Sequence, residues 1–128
     1  MAEPVGPVAE ALAKVRAIAL ALPETAERLS HGAPGFHIAK GKFFAYFSHD
    51  LHGSGETAVV LKTSGAEEQA MLIEADPDLY YKPPYLGSSG WIAIRVTAPE
   101  TDWDHVADRI AASWEMVARR RLLEMGGR

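Results

Sequence analysis

No cysteine occurs in the 128 residues, which excludes disulfides, a thiol nucleophile and any Cys-ligated zinc or iron–sulfur centre. Long apolar runs are missing too. The longest candidate near the N-terminus, Ala17 to Leu22, follows Glu3 and Glu10 and stops at Pro23. A secretory core needs about 7–15 apolar residues and a membrane span about 20. The expectation is a cytoplasmic protein without a membrane segment. Excess positive charge is also lacking: 13 Lys plus Arg face 17 Asp plus Glu, for a net charge of −4 and a pI near 5.7. Dedicated nucleic-acid binders are usually basic. Phosphate-loop, helical metal-ligand and nucleophile–base patterns do not occur, so no metal or cofactor is expected and catalysis ranks last among the functions considered.

What is present is ordinary for a globular chain, with 48% hydrophobic and 23% charged residues. One domain over residues 1–128 is expected, and a monomer. Val8, Leu12, Val15, Ala19 and Leu22 recur at helical spacing between Pro7 and Pro23, which predicts a first helix. Arg28 to His31 reads as a short strand and residues 32–35 as a turn. Phe36 to Ala39 and Lys42 to Ser48 then form a hairpin about Lys40-Gly41, and Thr57 to Thr63 is a further strand. Ser64 and Glu67 suggest a capping box for a second helix reaching Ala75. Residues 79–90 read as an aromatic loop, and Trp91 to Thr97 as a strand. Thr101 with Asp104 caps a third helix striped by Trp103, Val106, Ile110, Trp114, Val117 and Leu122. The order α-β-β-β(-β)-α-β-α predicts an α+β domain with a mostly antiparallel sheet.

Several short motifs, in order along the chain, resemble the MmcQ/YjbR-like family. They are Leu22-Pro-Glu-Thr25, Ser30-His31-Gly32 with Pro34 and Phe36, Lys42-Phe-Phe-Ala45, Pro83-Pro84-Tyr85-Leu86-Gly87 with Gly90-Trp91, and Asp102-Trp103. The resemblance covers roughly residues 8–123. It implies the same α+β fold and the family's predicted role, DNA binding through two hairpin wings, the double-wing motif. It marks Ser30, His31, Gly32, Pro34, Pro84, Tyr85, Gly87 and Gly90 without assigning them a role.

Charge is unevenly spread. Residues 64–78 hold five acids and no base, and 100–108 hold four more acids. Residues 31–63 carry three lysines, four histidines and two acids. A phosphate backbone responds to the local patch, although lysines also serve to block edge pairing. Strand alternation places Ile92, Ile94, Val96, Val59 and Leu61 inward. If Phe43 and Phe47 join them, the other face combines Phe44, Tyr46 and Trp91 with Lys42, Lys62 and Arg95. Lys40, Lys42, Lys62, Lys82, Trp91 and Arg95 are therefore the candidate nucleic-acid-binding residues. A peptide or protein partner would suit such a face equally, and a helix covering it would make the aromatics ordinary core.

The remaining constellations have simpler readings. His31 lacks an acidic orienter, so a structural turn residue is expected rather than a catalytic base; a small-ligand or enzyme site around His31 and Tyr85 is the third reading. His49-Asp-Leu-His52 reads as a loop tip rather than a metal site. Gly87-Ser-Ser-Gly90 reads as a turn delivering Trp91, and Arg119-Arg-Arg121 as a complement to a helix dipole.

Overall fold

The computed structural model describes residues 6–38, 42–50, 55–97 and 100–124, with side chains described as far as 120. Three helices, α1 (Gly6–Leu20), α2 (Ala66–Ala75) and α3 (Trp103–Glu124), accompany six strands. The strands are β1 (Thr25–Ser30), β2 (Ala33–Ile38), β3 (Lys42–His49), β4 (Thr57–Leu61), β5 (Tyr80–Tyr81) and β6 (Ile92–Arg95). They form one antiparallel sheet in the order β1-β2-β3-β4-β6-β5. The α+β architecture is thus as expected, with β5 added inside the segment read as an aromatic loop.

The main core lies between one face of the sheet and the helices. Ala11, Leu12, Val15 and Ala19 of α1 and Val106, Ile110 and Val117 of α3 meet Phe36, Ile38, Phe47, Val59, Leu61, Ile92 and Ile94. Leu72 and Ile73 of α2 pack at its margin. The predicted inward residues of β4 and β6 are all here.

The first hairpin is tighter than the sequence suggested. Ser30 pairs with Ala33, leaving His31 and Gly32 as a two-residue loop, and both have positive φ, 52° and 82°. Two consecutive positive φ values mark the turn whose twist matches that of the strands it joins. Ala33, Pro34 and Gly35 therefore belong to β2 rather than to a turn. Pro34 has no N–H to offer β3, and the β2–β3 ladder accordingly begins one residue later, at Gly35 and Tyr46.

A β-bulge corrects the parity expected for β3. Phe36 pairs with Ala45 but His37 pairs with Phe43, so Phe44 has no partner on β2 and turns inward beside Ala45. Phe44 and Ala45 are both 0% exposed. Phe43 then lies on the helix-free face and Lys42, opposite Ile38, on the helix side at the exposed strand end. An extra residue reverses everything beyond it.

The helix caps shift by a residue each. Gly65, at φ 149°, is the N-cap of α2, and Glu68 rather than Glu67 reaches back to accept from the Ser64 N–H at 2.7 Å. In α3, Asp102 accepts from the His105 N–H at 3.2 Å, while Thr101 bonds back to Thr97 instead. Trp114 is half-buried, and its Nε1 donates to the Pro23 carbonyl at 3.1 Å. No described helix is long and apolar enough to cross a membrane.

Candidate functional site

The face of the sheet away from the core carries its own small cluster. Ala58, Val60, Trp91 and Ala93 are buried there beneath Tyr46, Tyr81 and Leu86, with no α-helical residue among them. One ladder row crosses the whole sheet on this side: Arg28, Gly35, Tyr46, Val60, Ala93, Tyr81. Its neighbours are Ala26, His37 and Phe43 on one flank and Ser48, Ala58 and Arg95 on the other. None of these strand residues is a carboxylate.

Gly35 makes the arrangement possible. A Cβ at this position would lie 2.6 Å from Phe43 Cε2 and 3.1 Å from Tyr46 Cδ1. With no side chain in the way, Phe43 stacks on Tyr46 at 5.1 Å and 15° between planes. Tyr46 in turn lies 5.7 Å from Trp91. The Tyr46 hydroxyl is held above its ordinary pKa by burial, against the lowering effect of a Ser30 hydrogen bond and the Arg28 charge.

Three of these rings carry a cation. Arg28 lies over Phe43 at 4.9 Å, Lys62 over Trp91 at 5.4 Å, and Arg95 over Tyr81 at 4.5 Å. Such contacts orient a cation and leave its outer side open to an anion. Arg95 is the exception, because its Nε bonds to the Glu56 carboxylate and its Nη1 lies 3.2 Å from the Asp78 carbonyl. Arg28 and Lys62 form no ion pair with any described residue. Carboxylates gather on the helices instead, with Glu67, Glu68 and Glu74 on α2 and Asp104 and Asp108 on α3. The one charged carboxylate of β1, Glu27, faces α1 and binds Arg16 at 2.8 Å.

The expected site residues scatter around this face. Lys62 and Arg95 stand on it, Trp91 forms its floor at 8% exposed, and Phe43 takes the place expected for Phe44. Lys42 lies off the face, and Lys40 is outside the described residues. Lys82 is exposed in the loop after β5, its chain folded so closely over Gly87 that a Cβ there would meet Lys82 Cγ at 2.6 Å. Among the marked motif residues, Ser30 touches Tyr46, His31 and Gly32 form the exposed turn, and Pro34 ends a ladder. Pro84, Tyr85, Gly87 and Gly90 build a loop around the 3-10 helix Leu86–Ser89. His31 lies in the turn between β1 and β2, and Tyr85 in the loop between β5 and β6.

Arg28, Phe43 and Tyr81 escaped sequence reasoning. Arg28 was legible in principle, since it sits two residues before the hairpin turn and opposite a glycine. Of the loop-tip histidine motif, His49 bonds to Thr57 Oγ1 at 2.7 Å and Asp50 accepts from the Gly55 N–H at 2.7 Å. Leu51 and His52 lie outside the described residues.

Comparison with known proteins agrees with the fold. No curated protein matches the chain. A solved structure of the Deinococcus radiodurans protein DR2400, a DUF419 domain, matches with a TM-score of 0.69 at 16% identity, covering 90% of this chain and 87% of that one. At that identity the likeness concerns the fold alone. The family model YjbR matches residues 20–116, a stretch that runs from the end of α1 into α3 and takes in every strand described above: the chain belongs to the YjbR family.

Proposed function

We propose that the helix-free face of the sheet binds nucleic acid, with DNA as the partner, through its phosphates. The observation that carries this reading is the separation of charge between the two layers. Arg28 and Lys62 are poised over rings on a face whose strands carry no carboxylate; Glu56 beside this face is taken up by Arg95, and acids concentrate on α2 and the start of α3. The net charge of −4 then weakens the association without abolishing it, because a polyanion senses the potential of the surface it approaches. Binding is sequence-nonspecific, since phosphate contacts position a protein without reading bases. The rings of this face serve mainly to hold cations in place. We take the hairpins β2–β3 and β3–β4, whose strands form the middle of this face, as the counterparts of the wings that the family's predicted role invokes.

Fluorescence anisotropy with a labelled duplex across a salt series tests the reading. The expected Kd lies at about 10⁻⁴–10⁻⁶ M near physiological salt. Arg28→Ala combined with Lys62→Ala should flatten the slope of log K against log salt by about two units, one for each lost phosphate contact. A folded wild type that binds no DNA even at low salt would overturn the proposal and favour a peptide or protein partner for the same face.

A further inference from the structure

One of the three ring-borne cations is neutralised by the protein itself. Arg95 lies over the Tyr81 ring at 4.5 Å, much as Arg28 and Lys62 lie over theirs, and its Nε donates to the Glu56 carboxylate. Glu56 stands two residues before Ala58, the ladder partner of Arg95. From that diagonal position its side chain reaches the helix-free side of the sheet. Among the described ion pairs, this is the one that a cation of the face makes.

The guanidinium has other supports that hold it in place. Its Nη1 lies 3.2 Å from the Asp78 carbonyl and 3.4 Å from that of Pro77, and the Tyr81 ring backs it. The Arg95 N–H donates to the Leu79 carbonyl at 2.9 Å, which fixes the residue to the segment before β5. Both charges also act on the Tyr81 hydroxyl: burial is the chief cause that raises its pKa, Glu56 adds to the rise and Arg95 opposes it. The Arg95 and Glu56 side chains are 37% and 36% exposed, so an anion in solution can reach the pair. Exposed pairs of this kind gain little from their attraction, because solvent screens it. A guanidinium also accepts phosphate oxygens in the same fork that takes a carboxylate.

Resting on the nucleic-acid reading above, we propose that Arg95 over Tyr81 is a third phosphate site of this face and that Glu56 keeps it closed. The carboxylate takes the place of a phosphate on the guanidinium and cancels the charge that would attract one. Arg28 and Lys62 carry the binding of the wild-type protein, and the Glu56 pair keeps its affinity below what three cations could give.

The test is a four-protein cycle on the labelled duplex across a salt series: wild type, Glu56→Ala, Arg95→Gln and the double variant. Glu56→Ala should bind more tightly and steepen the slope of log K against log salt by about 0.9, the value of one added phosphate contact. Its advantage over wild type should therefore grow about 3-fold as salt falls from about 200 to about 50 mM. With Arg95→Gln in place, Glu56→Ala should no longer steepen the slope. An equal gain with and without Arg95 would mean that only a repelling charge was lost, and would overturn the proposal. Unchanged affinity in Glu56→Ala would overturn it as well; either result leaves the Arg28 and Lys62 surface standing. A Glu56→Ala protein that melts well below wild type and binds no better would make the pair structural, again against the proposal. A wild type that binds no duplex at any salt would overturn both readings.

Discussion

Gly35 decides, by having no side chain, what the helix-free face looks like. Its partners across the ladder are Arg28 on one side and Tyr46 on the other. The Phe43 ring occupies the space above it. Gly35→Ala should force that ring outward and cost about 1–3 kcal/mol, the usual range for an extra methyl in a packed site. The ring is half-buried, so it swings aside rather than breaking the sheet, and the lower end of the range is expected. The loss should also depend on Phe43. In a Phe43→Ala background, Gly35→Ala should be close to silent, and a double-mutant cycle by urea denaturation measures this coupling. Additive effects would show that Gly35 is needed for backbone freedom rather than for the stack.

At the scale of elements, the question is how α3 holds the sheet at its least regular point. The bulge leaves Phe44 without a partner on β2, and β4 ends at Leu61, leaving the next N–H beyond the ladder. Ser113, 0% exposed in the middle of α3, meets both needs. Its hydroxyl donates to the Phe44 carbonyl at 2.5 Å and accepts from the Lys62 N–H at 3.0 Å. Ser113→Ala should therefore cost about 1–3 kcal/mol, because it strands buried backbone groups as well as removing hydrogen bonds. Since Lys62 begins its course over Trp91 from that N–H, the same variant should weaken DNA binding alongside stability. Chemical denaturation and the duplex assay check the two effects separately; a ΔΔG below about 0.5 kcal/mol, the scatter of ordinary surface substitutions, would mean that water replaces the hydroxyl.

Across the whole molecule, acids on the helices and cations on the open face give stability and binding different pH dependences. Glu68 illustrates the first. Its carboxylate accepts from the Ser64 N–H and lies 3.6 Å from Arg109 of α3, so it caps α2 and ties the two helices together. The Ser64 backbone hydrogen bond is the chief cause that holds its pKa below the ordinary 4.5, with Arg109 adding to it. A folded pKa below the unfolded one means stability that is fully present above pH 4.5 and is lost as pH falls through the lower folded value. Glu68→Gln should thus lower the melting temperature at neutral pH, and the difference from wild type should shrink on acidification below that point. Thermal melts from neutral to strongly acid pH check this; a constant difference would show that the carboxylate acts only through packing.

Much of this architecture follows from local chemistry that can be read along the chain. Apolar residues at helical spacing between Pro7 and Pro23 mark α1, period-two alternation marks β4 and β6, and the stripe of Trp103, Val106, Ile110, Trp114 and Val117 marks α3. These signals are legible because a helix or strand buries one face, and the spacing of apolar residues records which. The site was legible only in part. Lys62 and Arg95 were placed on the right face because β4 and β6 are regular, and alternation carries through a regular strand. Phe43, Phe44 and Lys42 were placed on the wrong faces because a single unpaired residue inverts the rest of a strand, and nothing in Lys-Phe-Phe-Ala announces it. The bulge is accommodated by two neighbours outside β3: Gly35, which leaves room for Phe43 above the sheet, and Ser113, which satisfies the Phe44 carbonyl below it. The composition and order of the chain by themselves determined the layers, the charge asymmetry and the family. Only the tertiary structure decided which ring meets which cation, because those pairings join strands that the chain brings together from β1 to β6.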